Sequence, residues 1–311
     1  MTFDFLLPRH KRPEFSSQQL FTASMANIDV TLQYSGINFP GHLHTMQSMR
    51  FAEEFKFHDT DTVIITYPKS GTTWMQEILT IIYSDGDQVP AKTIPNWIRT
   101  PWIEHYYCAD VLQNKVDNRI ITTHLPYHIL SKSLKQSNAK VIYVARNPMD
   151  IIVSFYHFHK MANFLPEPGT FGEFLEKFIL GDVHFGSWFE HIKVWLSHRE
   201  EFNFLFISYE ELKKDLRHSV ERICTFLERP LLPEAIDTIV RHCTFANMKE
   251  NPMVNYTLIP NEIMDHRRGK FMRKGTIGDW KEHFTEEQKQ LFEKIFQEKM
   301  SDFNIRFIWT M

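Results

Sequence analysis

The sequence is poor in cysteine, and the few cysteines present exclude two common kinds of site. Cys108, Cys224 and Cys243 are the only three, they are far apart, and none belongs to a CxxC pair. This pattern predicts neither a disulfide framework nor a zinc centre, and it favours a reducing compartment. Long apolar runs are also missing. No stretch approaches the roughly 18 residues of a membrane span, so we expect a cytoplasmic protein with no membrane partner.

The chain also lacks an excess of either charge. Its 35 lysine and arginine residues nearly balance 38 aspartate and glutamate residues, which argues against a nucleic-acid partner or another extended polyanion. Any anion that the protein binds must therefore be met by a local basic pocket. No clear magnesium-carboxylate motif is present either, so we expect no metal cofactor.

Short β-branched runs alternate with segments of helical period. Residues 63–67, 140–145 and 203–209 are apolar enough for strands, and the first of them for a strand buried on both faces. The alternation predicts a single α/β domain with a central parallel sheet flanked by helices, and a ligand beyond the carboxyl ends of the strands. We place this domain at residues 46–311, after an irregular N-terminal arm at residues 1–45.

The sequence TYPKSGTTW, residues 66–74, joins the first strand to its helix. Such a loop offers unpaired backbone N–H groups and the positive end of a helix dipole, and both favour an anion. Lys69 adds a mobile charge, and Gly71 lets the backbone come close. The loop lacks the order of glycine and lysine in the triphosphatase motif GxxxxGK[ST]. It predicts a P-loop-like site for a phosphate or sulfate group, or else an ordinary turn with a surface lysine.

Two further places in the chain are suited to a second anion. Arg146 follows its own strand, with Ser154 two helical turns further on, and an Arg-Lys-Gly sequence occupies residues 273–275. The segment 243–285 around it is predicted to be a loop that closes over the ligand. Taken singly, each feature is equally well explained by a surface arginine or a solvated charge pair. Together they suggest a ligand with phosphates at two ends.

A histidine stands at the end of another expected strand, in the sequence TTHLP. This residue, His124, is placed to act as a general base that takes a proton from an acceptor hydroxyl or amine. The chain has 16 histidines and most are expected to be structural, so only its neighbours single this one out. Trp74 and Phe245 are suited to sandwich a planar base, although each is equally plausible as a core aromatic.

Several long motifs occur in an order that resembles the cytosolic sulfotransferases. They are YPKSGTTW, THLP, VARNPMDIIVSFYHFH, PEPGTFGEFLEKF, SYEELK, TFANMKENPMVNY and RKGTIGDWKEHFT, and the resemblance covers roughly residues 50–308. It implies an enzyme that transfers a sulfonate from 3′-phosphoadenosine 5′-phosphosulfate (PAPS) to a small acceptor and releases 3′-phosphoadenosine 5′-phosphate (PAP). The alternatives are a homologue that binds PAPS or PAP without catalysis, and a nucleotide kinase, which the missing triphosphatase loop disfavours.

The resemblance also implies roles for individual residues. The first loop would hold the phosphosulfate, with Lys69 bridging to the leaving oxygen and His124 as the catalytic base. The residues of the second anion site would hold the 3′-phosphate, and aromatic and apolar side chains the adenine. The implied nucleotide site comprises Lys69, Ser70, Gly71, Thr72, Thr73, Trp74, Arg146, Ser154, Tyr209, Cys243, Phe245, Met248, Phe271, Met272, Arg273, Lys274 and Gly275.

Two features depart from the family pattern. Many members carry lysine two residues before the histidine, whereas this chain has Thr122. One cationic contact to the sulfonate is therefore missing, and we expect Lys69 to provide more of the positive charge that stabilises the sulfonate. In having a neutral residue at this position and the motif KKDLRHSV, the chain resembles the amine sulfotransferase branch of the family. The family's dimer motif, Lys-x3-Thr-Val-x3-Glu, appears here as Lys281, Thr285-Glu286 and Gln290. This departure leaves open whether the chain forms the usual homodimer.

The acceptor is predicted to be a flat hydrophobic molecule, because aromatic residues are the candidate pocket liners. Phenols, steroid alcohols and arylamines all fit this description. Core packing would explain each aromatic side chain equally well. The candidates are Trp97, Trp102, Tyr106, Tyr127, Phe158 and Phe164, of which Trp102, Tyr127 and Phe158 are the predicted substrate contacts.

Overall fold

The described chain begins with a small hairpin. The structure, a computed structural model, describes residues 31–113, 115–116 and 118–303. Strands β1 (Thr31–Tyr34) and β2 (Ile37–Pro40) pair antiparallel. The prediction of an irregular arm is therefore wrong for residues 31–40. Four-residue strands give little periodicity, and the hairpin is fixed instead by burial of Phe39, which is fully enclosed in the main core. The rest of the predicted arm, residues 1–30, and the end of the predicted domain, residues 304–311, lie outside the described residues.

Four parallel strands form the central sheet. They are β3 (Thr62–Thr66), β4 (Ile120–Thr123), β5 (Lys140–Ala145) and β6 (Asn203–Ser208), in the order β4-β3-β5-β6. Side chains alternate between two cores along β3, since Val63 and Ile65 pack on one face and Ile64 packs on the other. The predicted α/β domain with a central parallel sheet is confirmed.

Helices cover both faces of this sheet. A helix follows each of the three predicted strands, and the one after β5 begins with Pro148 at its first position and Asn147 as its cap. The helices are α1 (Met46–Glu53), α2 (Thr72–Tyr83), α3 (Val89–Thr93), α4 (Asn96–Arg99), α5 (Cys108–Leu112), α6 (Tyr127–Leu134), α7 (Pro148–Met161), α8 (Phe171–Leu180), α9 (Trp188–Ser197), α10 (Tyr209–Lys214), α11 (Leu216–Leu227), α12 (Pro233–His242), α13 (Phe245–Glu250) and α14 (Glu286–Met300).

Most of the segment between α13 and α14 is irregular. Its anchor is the Asp150 carboxylate of α7, which accepts hydrogen bonds from the backbone N–H groups of Gly278 (2.8 Å) and Trp280 (3.0 Å). Both N–H groups donate to a carboxylate that is 1 % exposed, so the contact is well shielded from water. The segment is thereby held against the carboxyl end of the sheet. None of the helices described here is long and apolar enough to cross a membrane.

Candidate active site

A cavity of about 280 Å³ lies at the carboxyl ends of β3, β4 and β5. The loops after these strands form its floor, and residues 271–276 of the irregular segment form one wall. Among the residues predicted for the nucleotide site, Ser70 alone does not line it. The sheet therefore brings together side chains that are up to about two hundred positions apart in sequence, as expected for parallel strands that end at one edge.

The loop after β3 forms a cradle of hydrogen-bond donors. Lys69 and Gly71 both have positive φ angles, 69° and 106°, and this turn brings the chain directly into α2. In the described structure, the N–H groups of residues 71–73 make no backbone hydrogen bond. The hydroxyl of Ser70 is fully buried and also lacks a partner there. Unpaired donors at the start of a helix favour an anion.

Lys69 holds its ammonium group between two phenylalanine rings. Its Nζ lies 4.2 Å from the centre of the Phe158 ring and 4.1 Å from that of Phe271. Removal from water, together with the nearby charges of Arg146 and Arg273, lowers the pKa of Lys69 to about 7. No described carboxylate forms an ion pair with it. A bound anion would supply the missing opposite charge.

Arg146 joins the cradle to the wall of the cavity. Its guanidinium lies over the Tyr209 ring, 4.3 Å from the ring centre, and donates to the carbonyl oxygens of Lys69 (3.1 Å) and Thr276 (3.3 Å). Its buried Nε has no partner among the residues described. A Cβ atom at Gly71 would lie 3.0 Å from Tyr209, so glycine lets the loop pack against this ring. One donor of Arg146 therefore stays available to a ligand.

The two cations of the wall pair with an acidic residue. Arg273 and Lys274 both donate to the carboxylate of Asp279, and Lys274 also reaches Glu282 at 2.6 Å. Burial opposes ionisation of Asp279, but the hydrogen bonds from Lys274 and Arg273 hold its pKa below the usual value. This partner was not predicted, because nothing in the sequence distinguishes Asp279 from other acidic residues near a basic pair. A phosphate at this position would share the two cations with Asp279.

Aromatic side chains form the side of the cavity predicted for a planar base. The rings of Trp74 and Tyr209 lie 5.3 Å apart and cross at 67°. Phe245, Cys243 and Met248 line the cavity with them. Lys213 also lines it, with its Nζ 5.9 Å from the Trp74 ring centre. Its position one helical turn after Tyr209 on α10 is a signal that the sequence analysis missed.

His124 is held with one ring nitrogen towards the protein. Its Nδ1 lies 2.8 Å from the carbonyl oxygen of Thr66 and 3.0 Å from its hydroxyl. A carbonyl only accepts hydrogen bonds, so Nδ1 carries the proton and Nε2 keeps its lone pair. Burial, opposed by the Thr66 carbonyl and assisted by Lys69, lowers the pKa of His124 to about 4. The ring is therefore neutral at physiological pH and able to accept a proton.

A buried carboxyl group supports the backbone of this histidine. Glu104 accepts a hydrogen bond from the His124 N–H at 2.8 Å, and burial raises its pKa to about 7. The other carboxyl oxygen, Oε2, is enclosed and makes no hydrogen bond within the described part of the chain. Glu104 does not line the cavity. Its role could not be foreseen, because no spacing in the sequence links residue 104 to residue 124.

Thr122 belongs to a polar layer beneath the cavity. Its hydroxyl accepts from Gln76 (2.9 Å) and donates to the carbonyl of Thr100 (2.9 Å), and the side chain is fully buried. Gln76 in turn accepts from Asn96 at 2.7 Å. Thr122 is not among the residues that line the cavity. At the position where many sulfotransferases carry lysine, this chain therefore has a buried, hydrogen-bonded hydroxyl and no positive charge.

Five of the six aromatic residues predicted to line an acceptor pocket do so, namely Trp97, Trp102, Tyr106, Phe158 and Phe164. Tyr127 does not, and this prediction is wrong. At the start of α6, its ring stacks on His198 with 4.2 Å between centres, and its hydroxyl donates to Glu201. The turn after Pro126 points the ring towards α9 rather than into the cavity.

Other lining residues were not predicted. The end of the hairpin contributes Pro40, His42 and Leu43, and the segment 256–264 adds Tyr256 and three apolar side chains. The hairpin was missed because it falls in the region that we expected to be irregular. Among residues 31–303 as described, no group of three or more histidine, cysteine, aspartate or glutamate residues is arranged to hold a metal ion.

Comparisons with known proteins agree with this geometry. Residues 59–304 match the sulfotransferase domain family. Sulfotransferase 2B1 of Homo sapiens is 49% identical over 86% of this chain and 74% of its own length. The amine sulfotransferase of Oryctolagus cuniculus is 44% identical over 90% of this chain and 94% of its own length. The crystal structure of mouse sulfotransferase SULT7A1 complexed with PAP is similar with a TM-score of 0.74 and 33% identity, covering 88% of this chain and 95% of that one. The resemblance seen in the motifs is confirmed, and the chain belongs to the sulfotransferase family, whose members are enzymes that transfer a sulfonate group.

Proposed function

We propose that this enzyme takes its sulfonate group from PAPS and transfers it to a hydroxyl group, or to an uncharged amine, on a flat hydrophobic molecule. A phenol, a steroid alcohol or an arylamine meets this description. The mouse relative was solved with PAP, and the names of other relatives include a 3-beta-hydroxysteroid sulfotransferase and an amine sulfotransferase. Support from this chain itself comes from the fit of its residues to such a donor.

The cavity fits a nucleotide that carries phosphates at two ends. The N–H groups of residues 71–73 at the start of α2 offer unpaired donors at the cavity. A second group of residues around the cavity comprises Arg146, Ser154 and the Arg-Lys-Gly sequence 273–275. Within this group, Gly275 comes so close to Phe245 that any Cβ would lie 2.1 Å from this ring. We assign Phe245 and Trp74 to the adenine base. We assign Lys69 and its loop to the 5′-phosphosulfate, and Arg146 with the Arg-Lys-Gly sequence to the 3′-phosphate.

The observation that carries the proposal is that Lys69 and His124 line the same cavity. No described carboxylate forms an ion pair with the lysine, and the charge of Lys69 adds to the burial that lowers the pKa of the histidine. Bound PAPS would supply an activated sulfonate with PAP as the leaving group. His124 Nε2 accepts the proton of the acceptor hydroxyl as that oxygen attacks. Lys69 and the N–H groups of the loop stabilise the negative charge that develops on the leaving oxygen and the sulfonate oxygens.

The charge of the cavity favours an uncharged acceptor. Asp279 is the one carboxylate among the described residues that line it, and both Arg273 and Lys274 already pair with this group. A protonated alkylamine would therefore be buried near Lys69 without a compensating charge, at a high free-energy cost. Alcohols, phenols and weakly basic arylamines avoid this cost. The assignment to the amine branch of the family stays a prediction.

Oligomeric state and compartment are proposed from the resemblance alone. We propose that the chain is able to form the family's homodimer but that the altered dimer motif weakens it. From the resemblance to cytosolic sulfotransferases we propose that the protein acts in the cytoplasm. Thr285 caps α14 by accepting from the backbone N–H of Gln288 at 3.2 Å, and Gln290 donates to Glu286 within the same helix at 3.2 Å. Sedimentation at several concentrations tests the first statement, and cell fractionation the second.

The proposed function is tested by binding first and transfer second. Thermal unfolding is measured with PAP and, as the control, adenosine 5′-phosphate, which lacks the 3′-phosphate. We expect stabilisation by PAP but not by adenosine 5′-phosphate, because Arg146, Ser154 and the Arg-Lys-Gly sequence 273–275 are the proposed contacts of the 3′-phosphate. Labelled PAPS is then supplied with pooled phenols, steroids and amines. Binding without transfer to any pool would identify a non-catalytic homologue, and absence of binding would overturn the nucleotide site.

A further inference from the structure

His42 is a buried histidine whose ring makes no hydrogen bond to any residue that the structure describes. It follows β2, it is 4 % exposed, and its ring stacks on Phe164 with 4.0 Å between the ring centres. Its Nδ1 is enclosed without a partner, and no described residue bonds to its Nε2. The large majority of buried side-chain polar atoms are hydrogen bonded in folded proteins. The proposed mechanism makes no use of His42, although it lines the cavity.

A second histidine, His105, lies on the same side of the cavity. Its Nδ1 is 3.0 Å from the hydroxyl of Tyr107, whereas its Nε2 has no partner among residues 31–303 as described. Its ring stacks on Trp102 with 5.5 Å between centres, and Trp102 lies 6.2 Å from His124. The Trp102 ring therefore lies close to both His105 and the proposed base.

His42 is linked to Lys69 through a chain of aromatic contacts. Phe164, on which it stacks, packs against Phe158 with 5.9 Å between ring centres, and Phe158 contacts the ammonium of Lys69. Two phenylalanine rings thus lie between Lys69 and His42. An acceptor whose hydroxyl meets His124 would run along these aromatic side chains and bring its far end to the histidines.

The far end of the cavity is bordered by a polar space. A second cavity of about 450 Å³ shares His42, His105 and Tyr106 with the first, and Thr45, Gln47, Ser48 and Asp110 line it. The two histidines therefore lie on the border between a mainly apolar cavity and a second cavity whose lining is about equally polar and apolar. A polar group on a ligand is tolerated at this border, whereas it would cost free energy beside the phenylalanine rings.

We infer that the preferred acceptor carries a second hydroxyl or carbonyl group, at the end remote from the reacting hydroxyl, and that His42 binds this group with help from His105. The inference rests on the proposed function and specifies its acceptor class. Burial lowers the pKa of His42 to about 3, so its ring is neutral. A neutral imidazole both donates and accepts, and it therefore suits either a hydroxyl or a carbonyl group.

The test compares two acceptors that share one ring system and one reacting hydroxyl. One member of the pair is a steroid with a second hydroxyl at the far end, and the other lacks that group. For the wild-type enzyme we expect kcat/KM to be about tenfold higher for the diol than for the other steroid. The steroid without the far hydroxyl cannot form the hydrogen bond to His42, and the loss of one such bond has an effect of about this size. In His42→Phe, which keeps the stacking on Phe164 but removes the ring nitrogens, the ratio falls to about one.

The controls separate recognition from damage to the fold. His42→Gln keeps a hydrogen-bonding group and should retain part of the preference, which preserves the test if His42→Phe does not fold. Leu43→Met reshapes the same wall without polar change and should leave the ratio as in wild type, whatever happens to the absolute rate. An equal kcat/KM for the two steroids, or an unchanged ratio in His42→Phe, would mean that His42 binds only water. No transfer to either steroid, despite transfer to other acceptors, would also overturn the inference, whereas no transfer to any acceptor would overturn the proposed function along with it.

Discussion

Gly275 and Phe245 are in such close contact that only glycine fits at position 275. A Cβ atom there would lie 2.1 Å from Cδ2 of the Phe245 ring, and the backbone has a φ angle of +66°. The contact presses the Arg-Lys-Gly wall onto the aromatic side of the cavity. This packing fixes the distance between the proposed sites for the base and for one phosphate.

The first prediction concerns this contact. Gly275→Ala is expected to push the wall away from Phe245 and to weaken PAP binding at least about tenfold, measured by isothermal titration calorimetry. Gly36→Ala is the matched control, because φ is +78° there but no atom lies within 4 Å of the added Cβ. It carries the same backbone cost, about 1 kcal/mol, without the clash. Equal PAP affinity in the two variants would contradict this account of the wall.

The second prediction concerns His124. His124→Ala removes the proposed base and should lower kcat by about 10²- to 10⁴-fold, while the Kd for PAP stays within about threefold. The exposed His128, four residues further along, provides the control variant His128→Ala. Since the pKa of His124 is about 4, its protonation should not reduce kcat/KM until the pH falls well below 6. Near-normal transfer by His124→Ala would refute its role.

The third prediction concerns the pH dependence of nucleotide binding. The pKa of Lys69 is about 7 in the free protein, below its ordinary value, and a bound anion favours the charged form and raises it. Affinity for PAP should therefore be fully present below pH 7 and should decrease as the pH rises towards the pKa of the complex. Titrations between pH 7.5 and 9.5 measure this, because the phosphates, with a second pKa of about 6, keep a constant charge there.

Lys69→Arg provides the control for the pH titration. A guanidinium stays charged over this range, so the variant should lose the pH dependence even if its affinity is lower. An affinity of wild type that does not change between pH 7.5 and 9.5 would show that Lys69 is already charged in the free protein.

The fourth prediction contrasts two aromatic residues. Tyr127 lies outside the cavity, so Tyr127→Phe should leave the KM for a hydrophobic acceptor within about twofold. Phe158 lines the cavity and contacts Lys69, so Phe158→Ala should raise the same KM about fivefold or more. Steady-state kinetics with one phenol or steroid distinguishes them. A large effect of Tyr127→Phe would require a site that the described cavity does not include.

Local sequence was informative where function depends on neighbouring residues. The loop from Lys69 to Trp74 joins a buried strand to a helix, and both elements are visible in hydrophobic period, so its place at the carboxyl end of the sheet could be predicted. The same holds for Arg146 after β5. Hairpin strands of four residues give no such period, and for this reason residues 31–40 were misjudged.

Contacts between distant residues could be decided only by the tertiary structure. The α/β fold, the anion loop and the candidate base could be predicted from the sequence, because each depends on the pattern of a few adjacent residues. The sequence by itself did not determine that Glu104 supports His124, that Asp279 shares the cations of residues 273 and 274, or that Tyr127 turns away from the cavity. Nor did it reveal the unbonded ring of His42. Such contacts depend on how separate elements pack, and packing is set by the shape and burial of the whole core rather than by any local pattern.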